Sequence, residues 1–158
     1  MAVSHAPAHE RIRTSVPRCG QEVENVVRSG PRSGQRAQGP RVERFEARCT
    51  TMAGTAHAVA VTNGTVALDA ALCALGIGPG QEVITSPFTF AASINAILRS
   101  GASVRFADVC ADYTIDPASV SALIGPATAA VMPVTLYGLP ADMRALMSLA
   151  GSRRLALL

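Results

Sequence analysis

His57-Ala-Val-Ala-Val-Thr-Asn-Gly-Thr-Val-Ala-Leu68 reads as a buried strand over residues 58–62, a tight polar turn, and the first turn of a helix. A helix that opens on Asn63-Gly64-Thr65 presents unpaired backbone N–H groups, a hydroxyl and the positive end of its dipole, which suits a phosphate. The same three residue types also favour a plain turn with a helix cap.

Downstream of this turn the chain alternates. Residues 65–75 read as an Ala-rich helix closed by Gly76, 82–85 as a strand, 90–98 as a helix with Gly101 beyond it, and 104–107 as a strand. Residues 117–123 form a helical stretch behind Asp116, 129–134 a strand, 141–150 a helix, and 155–158 the start of a fifth strand. Apolar strands that lack period-two alternation and are separated by helices predict a parallel sheet covered on both faces. The expected class is α/β, three-layer α/β/α with a mainly parallel sheet. The Gly76-Ile-Gly-Pro-Gly80 run resembles a dinucleotide fingerprint, but it follows a helix and precedes a strand, the reverse of the phosphate-binding order, so it is a helix-to-strand turn.

Upstream, residues 1–17 read as a disordered arm. Val23, Val26 and Val27 stand at helical spacing over residues 21–28, with Ser29-Gly30 as the stop, and residues 29–40 have loop composition. From Pro40, the apolar residues Val42, Phe45, Cys49 and Met52 predict an amphipathic helix that ends at Gly54 and packs on a core downstream.

Length and composition fit one globular domain: 158 residues, 49% hydrophobic and 16% charged. All 14 basic side chains are Arg, so no side-chain amine is present for chemistry that needs one. Residues 1–53 hold nine Arg against five Glu, whereas residues 54–158 hold five Arg against six acids, which makes the arm the basic part. Acidic residues interrupt that arm and no aromatics interleave, which argues against nucleic acid as a partner. Cys19, Cys49, Cys73 and Cys110 are far apart, with no C-x-x-C pair; reduced, buried thiols and no metal site are expected. The N-terminus has no secretory pattern, and the uncharged run 120–140 is broken by Gly125, Pro126, Pro133 and Gly138, so the expectation is a cytoplasmic protein with no membrane span.

In a parallel sheet, ligands gather beyond the carboxyl ends of the strands. Asn63-Gly64-Thr65 and Ser86-Pro-Phe-Thr-Phe90 both occupy strand-to-helix turns and are expected to face one pocket.

Three runs, Val61-Thr-Asn-Gly-Thr-Val-Ala-Leu68, Leu75-Gly-Ile-Gly-Pro-Gly-Gln-Glu-Val-Ile84 and Pro87-Phe-Thr-Phe-Ala-Ala92, together resemble the DegT/StrS family of sugar aminotransferases. Arg28-Ser-Gly30, Gly39-Pro40 with Phe45-Glu46, Gly101, Phe106-Ala-Asp108, Ile115-Asp-Pro117, Leu136-Tyr-Gly138 and Pro140-Ala-Asp-Met143 stand in the same order and spacing as in that family, so the resemblance covers roughly residues 15–158. It implies an aspartate aminotransferase-like large domain that binds pyridoxal 5'-phosphate (PLP), and a dimeric enzyme that moves an amino group from an amino-acid donor to a keto-sugar nucleotide. It further implies that Gly64 and Thr65, with Asn63 beside them, hold the cofactor phosphate, and that the ring of Phe90 stacks on the pyridine ring. Tyr137 is a substrate-side candidate. His57, Asp108 and Asp142 have plain structural explanations.

Two departures from the family stand out. It needs a Lys that carries PLP as a Schiff base, and an always-protonated Arg cannot replace it. It also carries an acid, in a Glu-Asp-Ala-Ala-Gln-like motif, that keeps the pyridine nitrogen protonated. Neither is present, so no catalytic residue is assigned. Thr135 stands where many relatives have His, a minor change. Residues 18–158 are therefore expected to be an incomplete N-terminal part of the PLP-binding domain, inactive alone, with an apolar sheet edge near residues 155–158 that invites aggregation. Two alternatives stay open: a PLP-dependent sugar dehydratase relative, and a non-enzymatic α/β anion-binding module.

Overall fold

The computed structural model describes residues 19–32, 34 and 39–158. The arm expected over residues 1–17 lies outside them, as does part of the loop expected over 29–40. The described chain falls into two compact units, one up to Ala60 and one from Val61 to Leu158.

The first unit holds α1 (Gln21–Arg32) and α2 (Pro40–Ala53). Helix α1 does not stop at Ser29-Gly30 as expected. The Ser29 hydroxyl donates back to the carbonyls of Asn25 and Val26, so the residue is satisfied inside the helix. Helix α2 begins on Pro40 and closes on Gly54, whose φ of 65° is the left-handed cap expected of glycine. None of its residues is buried, and Met52 is 88% exposed.

Residues 58–62 are also not a strand. A strand exists through the ladder it shares with a neighbour, and these residues pair with none in the described sheet. The Ala60 N–H instead donates to Glu46 Oε1 of α2 at 2.8 Å.

The second unit runs α3 (Gly64–Ala74), β1 (Glu82–Thr85), α4 (Ala91–Ser100), β2 (Ser103–Phe106), α5 (Pro117–Leu123), β3 (Thr128–Met132), a short 3-10 turn (Leu136–Gly138), α6 (Met143–Arg153) and β4 (Ala156–Leu157). The element expected over 155–158 is thus the fourth strand. All pairings are parallel, in the order β2-β1-β3-β4. Strand β3 ends at Met132 because Pro133 has no N–H for the ladder. Helix α6 starts after Asp142, whose carboxylate accepts the Ala145 N–H at 3.0 Å as an N-cap, and Asp116 caps α5 on the Ala118 N–H at 2.9 Å.

Alternate residues of each strand feed two cores. Val83, Ala130 and Met132 pack with Leu72 of α3 and with Ala96 and Ile97 of α4; Ile84 and Val131 pack with Val120 of α5 and Leu146 of α6. The result is the expected three-layer sandwich with a parallel sheet. Leu72, Ile84, Ile97 and Val120 are fully buried, and each such side chain contributes about 1.5–3 kcal/mol of transfer free energy. The cysteines are free, as expected, but not buried: Cys19 and Cys73 are exposed, Cys49 and Cys110 half-buried. No helix among the described residues is long and apolar enough to cross a membrane.

Candidate functional site

Strand order places the site. From β1 the chain crosses through α4 to β2 on one side, and from β3 it crosses through α6 to β4 on the other. The connections therefore diverge between β1 and β3, and a parallel sheet opens a crevice at the carboxyl ends of two such strands. Thr85 Oγ1 ties the two strands together at that end by donating to the Met132 carbonyl at 2.8 Å, in a fully buried contact.

Connection 86–90 leaves β1 at this crevice. Ser86 is buried, and its hydroxyl accepts the Phe88 N–H at 3.0 Å, folding the turn back on itself. Thr89 bonds to the Ser93 hydroxyl at 2.9 Å. Phe90 is the N-cap of α4 with extended backbone (φ −70°, ψ 138°), and its ring is 74% exposed. Connection 133–142 leaves β3 on the other side. Tyr137 lies there with left-handed backbone (φ 55°, ψ 17°) and is 92% exposed.

Helix α3 packs beside α4, and both cover the same face of the sheet. Each is followed by a short turn into a strand, so both run against the strand direction and both N-termini rise toward the carboxyl edge. Asn63 is the N-cap of α3: its Oδ1 accepts the Val66 N–H at 3.0 Å and its carbonyl accepts the Ala67 N–H at 3.1 Å. Asn63 is thereby engaged as a cap. The N–H groups of Gly64 and Thr65, at the first two helical positions, have no acceptor among the described residues, as helix geometry leaves them. With the Thr65 hydroxyl they form an open donor set where the dipole is positive, which favours an anion. Asn63 and Gly64 are exposed and Thr65 is half-buried.

The remaining candidates fall elsewhere. His57 is exposed in the first unit, Asp142 is committed as a helix cap, and the Asp108 N–H is taken by the Ser119 hydroxyl. An open hollow of about 440 Å³ lies at the amino end of the sheet, lined among others by Ile77, Gln81, Thr128 and Arg154, on the side away from the anion turn. Among the described residues no cluster of His, Cys, Asp or Glu could hold a metal.

Two features escaped the sequence reading. The Phe88 and Tyr113 rings meet with centroids 5.2 Å apart, at 35°. A turn after β2 builds around Asp112, whose Oδ1 accepts both the Thr114 N–H (3.0 Å) and hydroxyl (2.8 Å). The Phe-x-Phe spacing of 88 and 90 signals that two rings leave one turn, but not that the first meets a tyrosine 25 residues on.

The DegT/DnrJ/EryC1/StrS aminotransferase family matches residues 17–158. The chain belongs to this family. Within it, the spore coat polysaccharide biosynthesis protein SpsC of Bacillus subtilis (strain 168) is 42% identical over 145 residues, which are 91% of this chain and 37% of SpsC. Among solved structures, S. venezuelae DesV in complex with a ketimine intermediate superposes with a TM-score of 0.83 at 42% identity, over 86% of this chain and 37% of DesV. NtdA of Bacillus subtilis, with bound cofactor PMP, gives 0.82 at 31% identity, over 93% of this chain and 36% of NtdA. The chain thus spans less than two fifths of these relatives, and the fold is that of the PLP-dependent aminotransferases.

Proposed function

We propose that this chain supplies the phosphate-binding turn and one ring-facing side chain of a PLP-dependent aminotransferase that acts on a keto-sugar nucleotide with an amino-acid donor. The observation that carries the reading is the donor set at the start of α3, two free backbone N–H groups and a hydroxyl, in a family whose solved members include one with PMP bound. The donor set fits a phosphate, and the exposed Phe90 ring at the neighbouring helix start fits a flat heteroaromatic ring. When bound, PLP supplies an electron sink for amino-group transfer. Gly64 and Thr65 would hold the phosphate through N–H and O–H donation, Asn63 would fix the turn as its cap, Phe90 would cover the ring, and Tyr137, across the crevice, would face the sugar substrate.

The fit stops at the reacting carbon. The chain holds no Lys, so no residue here carries PLP as a Schiff base, and the 158-residue chain by itself is proposed to be inactive. Cytoplasmic location and homodimeric assembly belong to the same proposal. The alternative reading, a non-enzymatic module that keeps only the anion turn, shares the same donor set at the start of α3.

Thermal-melting shifts measured with PLP, pyridoxal and inorganic phosphate separate the readings. A cofactor site gives a shift with PLP larger than with either fragment, and Thr65→Ala reduces it. A bare anion module responds equally to PLP and phosphate. Equal shifts with PLP and pyridoxal, or no effect of Thr65→Ala, would overturn the assignment of the turn. Borohydride treatment with PLP is expected to leave no pyridoxyl group on an internal residue.

A further inference from the structure

We propose that Tyr113 is a positioning residue for Phe90, acting through the ring of Phe88. The proposal rests on the reading that Phe90 covers a flat ligand at the crevice, and it names what aims that ring. Phe90 itself is weakly held: it makes no side-chain cap bond and its ring is largely in solvent, so its direction follows from the backbone of residues 86–90. From inside, that backbone is fixed by Ser86, which accepts the Phe88 N–H, and by the Thr89 bond to Ser93. From outside, the Tyr113 ring lies 5.2 Å from that of Phe88 in a tilted stack, the one aromatic pair among the described residues.

Tyr113 is presented for this contact by a turn of its own. Its backbone sits at φ 68°, a left-handed conformation that costs a non-glycine residue free energy. The turn is closed by the Tyr113 N–H to the Cys110 carbonyl (2.9 Å), the Cys110 N–H to the Thr114 carbonyl (2.8 Å), and the double bond of Thr114 to Asp112. Two loops, each tied internally, thus meet at this pair of rings. One of them carries Phe90 two residues after the contact, just past a bend at residues 87–89 that the Thr89 N–H closes on the Pro87 carbonyl at 3.1 Å, so the position of Phe88 sets the backbone that leads into Phe90. The β2–α5 loop thereby steers the β1–α4 loop.

The test needs no ligand, so its failure is distinguishable from failure of the phosphate assignment, which Thr65→Ala addresses. The full chain is labelled with para-fluorophenylalanine and its four fluorine signals are assigned by single Phe→Leu substitutions. Tyr113→Gly removes the ring while suiting the left-handed backbone, and Tyr113→Phe keeps the ring. In Tyr113→Gly the Phe88 and Phe90 signals are both expected to shift, with Phe45 unchanged. Tyr113→Phe adds a fifth fluorine signal at position 113, beside Phe88, and is expected to leave the Phe90 signal at its wild-type position. A shift of Phe88 alone in Tyr113→Gly, no shift in Tyr113→Gly, or a Phe90 shift in Tyr113→Phe equal to that in Tyr113→Gly would overturn the proposal.

Discussion

Glu46 Oε1 accepts the backbone N–H of Ala60 at 2.8 Å, so a carboxylate on α2 takes the place a neighbouring strand would hold for this segment. The group is half-buried and ionic, and net values for hydrogen bonds to charged groups run about 1.5–3 kcal/mol before discounting for solvent. Glu46→Ala is therefore expected to cost about 1 kcal/mol and to raise the hydrogen-exchange rate of the Ala60 amide several-fold. Glu46→Gln keeps an acceptor and is expected to lose less. Unchanged Ala60 exchange in Glu46→Ala would show that the bond does not hold the segment.

Gly101 closes α4 at φ +84°, and a Cβ built there would lie 2.9 Å from Pro79 Cγ. Gly76 closes the preceding helix at φ +66° with nothing within 4 Å. Alanine at either position incurs the left-handed penalty of about 1–2 kcal/mol. Only Gly101→Ala adds a clash with a rigid proline ring. Urea unfolding is expected to show Gly101→Ala as the more destabilised variant by about 1 kcal/mol or more. Equal midpoints would mean that the Pro79 contact relaxes without cost.

Helix and strand periods, glycine stops and aspartate caps are local signals, and most of them read true: β1 and α5 fall on their expected residues, and Gly54 and Gly101 close their helices, whereas the Ser29-Gly30 stop failed because the Ser29 hydroxyl is satisfied inside α1. What depends on partners distant in sequence was not legible. Residues 58–62 have strand composition, but a ladder needs a neighbour, and composition does not announce one. For the site, the Asn63-Gly64-Thr65 turn was visible because helix N-termini have a composition of their own. The crevice between β1 and β3 was not, because it comes from strand order, which the sequence pattern leaves open.

Arg99 and Asp69 join α4 to α3 in a two-pronged bond, with Nη2 to Oδ1 at 2.7 Å and to Oδ2 at 2.9 Å. The side chains are 50% and 37% exposed, so solvent screens the pair and its expected worth is about 0.2–1 kcal/mol despite the good geometry. Arg99→Met is expected to lower stability by no more than that, with the loss shrinking in high salt as the Debye length falls to about 3 Å at 1 M. By contrast, Leu72→Ala, at a fully buried position between α3 and the sheet, is expected to cost about 2–5 kcal/mol at any salt concentration. Urea titrations at low and high salt compare the two. A salt-independent loss in Arg99→Met would mean that its stem, and not its charge, does the packing.

The turn after β2 carries a pH dependence of definite sign. The Thr114 N–H and hydroxyl both donate to Asp112 and hold its carboxyl below the usual carboxylate range. A folded-state pKa below the unfolded one means that the stabilising contribution is complete above the unfolded value and is lost as pH falls through the folded value. The Thr114 amide resonance is therefore expected to titrate on the acid side of a free aspartate, and Asp112→Asn to abolish that titration. The Cys110 thiol is pushed the other way, up, first by desolvation and then by the negative charges of Asp116 and Asp112, with the Thr114 bond opposing. Asp112→Asn removes one of those charges and leaves the desolvation in place. Alkylation of Cys110 at mildly alkaline pH is expected to quicken in that variant, but only in part, because burial is the larger cause. If the rate stayed at its wild-type value while the Thr114 titration vanished, the charge of Asp112 would not reach the thiol.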